Sequence, residues 1–171
     1  MDAWQAIDSI RVVRDFADKP VEQDRVDRIL HAGRRAGSSK NLQRWSFIVV
    51  RDRDRLKQLT EVGPFAGHLA GAPLAIALVT PDPNDQPLSV VFDVGRAAQN
   101  MVLTAWDLGI GSVPATVYEH KLAAELLGLP TGQHCEYILS FGYPADPSVL
   151  TTPKQAGGRK APTEVVHQER W

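Results

Sequence analysis

The chain carries a single cysteine, Cys135, among its 171 residues. That excludes an intramolecular disulfide framework and suits a reducing compartment. Cys135 stands in Gln133-His134-Cys135-Glu136-Tyr137-Ile138-Leu139, which has the composition of a strand start. A buried structural thiol is expected there, not a nucleophile. No hydrophobic run is long enough to span a bilayer, the longest stretches, such as 71–81, being far too short. The N-terminus, with Asp2 and Trp4, has no apolar segment behind basic residues, so a secretory signal is not expected and the cytoplasm is the default location. Excess charge of one sign is lacking too. A formal net charge of -1 gives no general attraction to nucleic acid or anionic membranes, and the aromatic-basic interleaving of a nucleic-acid-binding surface is missing.

Common chemical signatures are absent as well. There is no His-Glu-x-x-His, no Cys/His set at zinc spacing, no Gly-x-Ser-x-Gly elbow and no phosphate-cradling Gly-x-x-x-x-Gly-Lys. The histidines (His31, His68, His120, His134, His167) are scattered, so no metal site is assigned. Gly109-Ile110-Gly111 ends a helix, whereas a dinucleotide fingerprint follows a strand and opens one. Neither an internal repeat nor a composition shift appears, so one domain over 1–171 is expected.

What is present is an alternation of helical and strand patterns. Residues 2–9 have helical spacing with Trp4, Ile7 and Ala3 on one face, and Val21–Arg35 is a clearer amphipathic helix built on Val26, Ile29, Leu30 and Ala32. Residues 37–41 (Gly-Ser-Ser-Lys-Asn) break it with loop chemistry. Residues 45–51 predict a short interior strand, 54–62 a short helix, and 64–71 a Gly-rich connection. The continuous apolar run 73–80 predicts a strand deep in a sheet. Residues 81–87, with three prolines and two aspartates, predict a surface loop.

Val90–Leu108 is the longest helix candidate, with Gly109 as its cap. Its apolar residues cover more than one stripe, which implies burial on several sides. A further helix over 121–127 stops at Gly128 and Pro130, and 137–142 is a strand. From residue 145 the chain is too rich in Pro, Gly and polar residues to build core; Val165, Val166 and Trp171 favour an arm packed on another surface.

Four separated segments carry the candidate chemistry. Ile10-Arg11-Val12-Val13-Arg14-Asp15-Phe16 offers arginine forks suited to a phosphate or to the oxygens of a polar ring. Taken alone, a solvated basic turn is the simpler account. Ala36-Gly37-Ser38-Ser39-Lys40-Asn41-Leu42-Gln43-Arg44-Trp45 offers hydroxyls and amides that bind ligand heteroatoms or merely satisfy loop backbone. Leu108-Gly109-Ile110-Gly111-Ser112-Val113-Pro114-Ala115-Thr116 is small enough for close approach to a flat ligand, and a helix cap with a tight turn explains it equally well. Gly157-Gly158-Arg159-Lys160-Ala161-Pro162 pairs glycines with cations that suit an anion, though tail cations are commonly just solvated.

Together and in this order, the four segments resemble the nitroreductase family over nearly the whole chain. The family's Arg-Arg-Ser-x-Arg-x-Phe corresponds to Ile10–Phe16, and its Ala-Pro-Ser-x-x-Asn-x-Gln-Pro-Trp to Ala36–Trp45. Residues 93–105, with Ala97-Ala98-Gln99-Asn100 and the following Leu108–Gly111, resemble its central helix and turn; residues 159–167 resemble its basic tail. Ile10 and Val12 stand where the family has arginine and serine, and Gly37 and Arg44 where it has proline. These departures weaken the predicted flavin cradle unless Lys40 or Arg44 compensates.

The resemblance implies an α+β fold of three layers, with a central, mostly antiparallel sheet flanked by helices. It implies an intertwined homodimer in which 145–171 forms an arm on the partner and each FMN site is built from both chains. It implies a ping-pong cycle, with NADH or NADPH reducing the flavin and a nitroaromatic, quinone-like or related small acceptor reoxidising it. A flavin-storing or flavin-sensing protein of the same fold, or another flavin chemistry such as enone reduction, dehalogenation or dehydrogenation, is the alternative.

By the same resemblance, Arg11, Arg159 and Lys160 hold the phosphate side, with Val12 and Val13 in the same cradle. Arg14 faces the pyrimidine edge. Ser38, Ser39, Asn41 and Gln43 reach FMN polar atoms from the partner, and the backbone of Pro114, Ala115 and Thr116 lies at the reactive ring face. No side chain is assigned as a dedicated acid or base, and the substrate-side loop is expected around 62–70.

Overall fold

The computed structural model describes residues 1–82, 88–153 and 158–171. Beyond Asp82 the expected loop 81–87 lies outside the described residues, as does Gly157 of the basic tail segment.

Four strands form one sheet in the order β1-β2-β4-β3: β1 (Ser46–Val50), β2 (Leu74–Pro81), β3 (Gly111–Thr116) and β4 (Gln133–Gly142). Each neighbouring pair is antiparallel. β2 and β4 occupy the centre, which explains the uninterrupted apolar run of β2: with helices on both faces, either parity of side chain meets core. On one face α2 (Gln23–Arg34) and α4 (Ser89–Asp107) pack with Ile76, Leu139 and Phe141. On the other, α3 (Arg53–Gln58), α5 (His120–Leu127) and two short 3-10 segments enclose Ala75, Ala77 and Ile138. Helices, sheet, helices: these are the three layers expected of the α+β fold.

The helices follow their sequence signals. α1 (Ala3–Ser9) opens with a capping box, Asp2 accepting from the Gln5 N–H and Gln5 Oε1 accepting from the Asp2 N–H. Trp4 and Ile7 do share a side of α1, yet both are exposed, while Ala6 is the residue that packs inward. Gly109 follows α4 with φ +73°, the left-handed geometry a terminating glycine supplies. The expected helix 54–62 divides into α3 and a 3-10 segment at Leu59–Val62. The Gly-rich connection 64–71 contains a second 3-10 segment, Gly67–Gly71. For 111–116 the local pattern suggests only a cap and turn; the structure makes it an edge strand. It opens with Gly111 and contains Pro114, so no clear strand alternation marks it, and an edge is where a strand tolerates proline.

Beyond Pro147–Leu150 and the single helical turn α6 (Pro162–Val165), every residue described from 158 to 171 is exposed. Among the described residues no helix is long and apolar enough to cross a membrane.

Candidate functional site

The segment after α1 is held in extended form against the sheet. Val12 bridges Ser112 in parallel register, and the Val13 N–H donates to the Ser112 carbonyl at 3.0 Å. Phe16 bridges Pro144, so residues 12–16 are tied at both ends. This pairing needs Gly111, because a Cβ there would lie 2.5 Å from the Val13 Cβ. Val13 is thereby buried, and its neighbours Arg11 and Val12 are delivered to a cleft of about 1440 Å³.

One wall of that cleft is Trp4 and Ile7 of α1 with Val91, Val94 and Ala98 of α4; the floor is Leu78, Pro114 and Leu139 of the sheet, and Arg11 and Arg159 join the lining. Arg11 sends one guanidinium N–H to the Thr152 carbonyl, which anchors the fork. Its Nε is buried and has no hydrogen-bond partner among the described residues. An enclosed N–H without an acceptor costs about 1–3 kcal/mol, so the position favours an incoming hydrogen-bond acceptor. Two guanidinium groups at a largely apolar, open cleft suit a ligand with an anionic group and a flat hydrophobic body.

The expected site residues divide into three sets. Arg11, Val12, Pro114 and Arg159 line the cleft. Val13 and Ala115 are buried as support for it, Thr116 is half-buried further along β3, and Lys160 sits exposed beside Arg159. Arg14 does not line the cleft; it is exposed, and its charge acts on His68. Ser38, Ser39, Asn41 and Gln43 also lie away from this chain's cleft, in the loop between α2 and β1.

That loop is unusually constrained. Lys40, Asn41 and Gln43 have φ of 50°, 55° and 48°. A non-glycine residue in this region costs about 1–2 kcal/mol, so the surroundings must impose it. They do: the Ser39 N–H donates to Asp93 Oδ2 at 2.8 Å, the Gln43 N–H donates to Ser38 Oγ at 3.0 Å, and Gln43 Nε2 donates to Asn41 Oδ1 at 3.2 Å. Asp93 is a buried carboxylate on α4, and its single local signal in the sequence is that of a lone acid within an apolar helix, too little to assign it a role. Ser39, Asn41 and Gln43 are exposed, and Ser38 is half-buried.

His68 is a second residue without a sequence signal. Its Nδ1 lies 2.8 Å from Oγ of the fully buried Ser140. Burial first, then the Arg14 charge, hold the imidazole below its ordinary pKa, with the Pro114 carbonyl opposing. The unfolded chain takes up a proton near pH 6.5 where the native protein resists it. Stability associated with neutral His68 is therefore fully present above about pH 6.5 and is lost as pH falls through the depressed native pKa. His68→Gln is expected to flatten the fall in urea stability on acidification below about pH 6.5; an unchanged slope would exclude His68 as its source. Cys135 is buried, donates to the Tyr137 carbonyl at 3.4 Å, and is pushed by burial up to about 12, which suits a structural thiol.

The sequence and fold have clear counterparts. The sequence profile of the nitroreductase family matches residues 7–63 and 63–143. An Archaeoglobus fulgidus protein named "Putative NADH dehydrogenase/NAD(P)H nitroreductase" is 37% identical over 168 residues, covering 94% of each chain. A Bacillus subtilis NAD(P)H FMN reductase is 28% identical, covering 94% of this chain and 71% of its own. Among solved structures, an FMN-dependent nitroreductase from Clostridium difficile superposes with a TM-score of 0.85 at 26% identity, over 98% of this chain and 99% of that one.

Proposed function

The chain belongs to the nitroreductase family, and from that premise we propose that it is a cytoplasmic FMN-dependent oxidoreductase. In this reading NADH or NADPH and a nitroaromatic, quinone-like or related small organic acceptor react in alternate half-reactions at one site. The observation that carries the reading is the buried Nε of Arg11, without a partner among the described residues, in a cleft it shares with Arg159. The residues present fit FMN: the guanidinium groups match its phosphate, and the apolar floor matches its ring system.

When bound, FMN supplies the two-electron chemistry, and the protein supplies position and electrostatics. Arg11 and Arg159, with Lys160 beside them, neutralise the phosphate and fix the register of the ligand. The Val12 side chain and the edge of β3 at Pro114 bound the ring. Arg14 acts at longer range, its positive charge favouring extra negative charge at the pyrimidine edge. Leu78 and Leu139 exclude water from the floor, which strengthens these interactions.

The cleft is larger than the roughly 300–1,000 Å³ of an ordinary small-molecule pocket. Its rim is apolar and open, with Trp4 73% and Leu88 89% exposed. A monomer seldom leaves such a patch bare, and a second copy of the chain is its proposed cover. That dimer brings Ser38, Ser39, Asn41 and Gln43 of the partner subunit to the flavin, and gives the arm 145–171 a surface to wrap. The substitution of Ile10 and Val12 for the family's arginine and serine also favours a second reading, a protein that binds flavin without turnover.

An absorbance spectrum decides among these. Purified protein is expected to be yellow with releasable FMN, and anaerobic NADH or NADPH is expected to bleach the flavin band. A colourless protein that takes up no added FMN overturns the cofactor assignment. Bound flavin that neither nucleotide reduces supports storage over catalysis.

A further inference from the structure

Two histidines 14 residues apart and a neighbouring glutamate meet outside the arginine end of the cleft. His120 opens α5, and His134 and Glu136 stand near the start of β4. The rings of His120 and His134 have centroids 4.3 Å apart at an interplanar angle of 38°. His134 Nε2 lies 2.8 Å from Glu136 Oε1. One ligand-capable atom from each of the three falls within 4.8 Å of the others. The pairing of β2 with β4 steps at Leu78/Val79, so Leu78 faces Tyr137 and Val79 faces Cys135, leaving Glu136 as the extra residue of a bulge. Bulges re-aim side chains, and here the result is a carboxylate set against two imidazoles.

We propose that His120, His134 and Glu136 bind a divalent transition-metal cation of the zinc class. Two imidazoles and a carboxylate are the ligand set of open zinc sites, which hold the metal by three protein groups and leave a fourth position free. Tetrahedral ligands about 2.1 Å from a zinc ion lie about 3.4 Å from one another. The observed spread is therefore closed by a shift of roughly 1 Å, within reach of the exposed His120 side chain. His134 is already confined, its side chain 17% exposed and held by Glu136, so little freedom is lost on ligation. Imidazole with a single carboxylate selects zinc, cobalt, nickel or copper over magnesium or calcium, which prefer shells made wholly of oxygen. Glu136 also lines the cleft. An ion here therefore places a positive charge and an open coordination position at the cleft wall, away from Arg11. The site stands independently of what the cleft binds.

The test is calorimetric titration of tag-free, full-length protein, stripped with EDTA and dialysed, with zinc chloride. The expected result is saturable binding of one zinc ion per chain at micromolar or lower concentration, with at least tenfold weaker binding in His120→Ala and in His134→Ala. His120 is exposed, so His120→Ala leaves the fold intact, and its thermal melt in EDTA is expected to match that of the parent. Zinc is expected to raise the melting temperature of the parent but not of His120→Ala. Failure to bind zinc below millimolar concentration overturns the proposal, as does unchanged affinity in both histidine variants. Equal affinity for magnesium overturns the assignment to the zinc class.

Discussion

Arg11→Ala is expected to yield a folded protein that purifies without flavin. Truncating one partner of a buried, charge-assisted pair costs about 2–5 kcal/mol. The dissociation constant for FMN should therefore rise by a factor of about 30 to several thousand. Arg11→Lys is expected to fall between, because an ammonium keeps the charge and loses the fork that reaches both the Thr152 carbonyl and a ligand oxygen. Stability without flavin provides a separate check. Arg11 holds an enclosed N–H with no acceptor among the described residues, so removing it should leave the apoprotein no less stable, offset only by the lost contact to Thr152. Flavin titration and urea unfolding of the apo form measure the two effects. An unchanged FMN affinity would withdraw the phosphate role from Arg11; a collapse of apo stability would mark it as a structural residue instead.

Phe141→Ala is expected to be the most destabilising simple truncation in the sheet. Phe141 is fully buried, lies on the central strand β4, and pairs with Leu74 of β2 on one side and Ser112 of β3 on the other. Deleting a buried phenyl ring forfeits its transfer free energy and leaves a cavity, together about 3–5 kcal/mol. That is a large share of the roughly 5–15 kcal/mol that holds a domain folded. The consequence reaches the site, since Ser112 is the residue that bridges Val12 and accepts from the Val13 N–H. Loss of flavin is thus expected together with loss of stability, whereas Arg11→Ala separates them. A fall in unfolding free energy of less than about 1 kcal/mol, read from the urea midpoint, would contradict the packing described for this face of the sheet.

These two residues also show how unevenly the sequence discloses function. Phe141 lies in a plain strand pattern, and that pattern alone is enough to place it in a sheet. Arg11 is an ordinary basic residue until three other segments give it a family context, and only the folded chain encloses its Nε and leaves it without a partner among the described residues. Arg14 sits three residues further on and is expected on the same ligand. In this chain it is exposed and outside the cleft lining, and its charge also acts on His68. Asp93 and His68 acquire their roles by contacts more than 50 residues away in sequence, and no local pattern announces such contacts.

By itself the sequence determined the elements with strong periodicity and the family. The amphipathic spacing of α2, the unbroken apolar run of β2 and the length of α4 are local consequences of burying one stripe or two faces, so they can be read one window at a time. The motif order from Ile10 to Lys160 set the expectation of a flavin fold, and the matched family agrees with it. Tertiary structure alone decided the rest. β3 becomes a strand through the hydrogen bonds that β4 and residues 12–13 supply, since Gly111 and Pro114 leave its local pattern weak. The strained loop 38–43 keeps its shape because Asp93 of α4 holds the Ser39 N–H. His120 and His134 become neighbours through the packing of α5 against β4, with the bulge at Glu136 bringing in the third group. Pairing partners and enclosed polar atoms depend on which distant segments the core brings together, and a sequence read in order carries no record of that meeting.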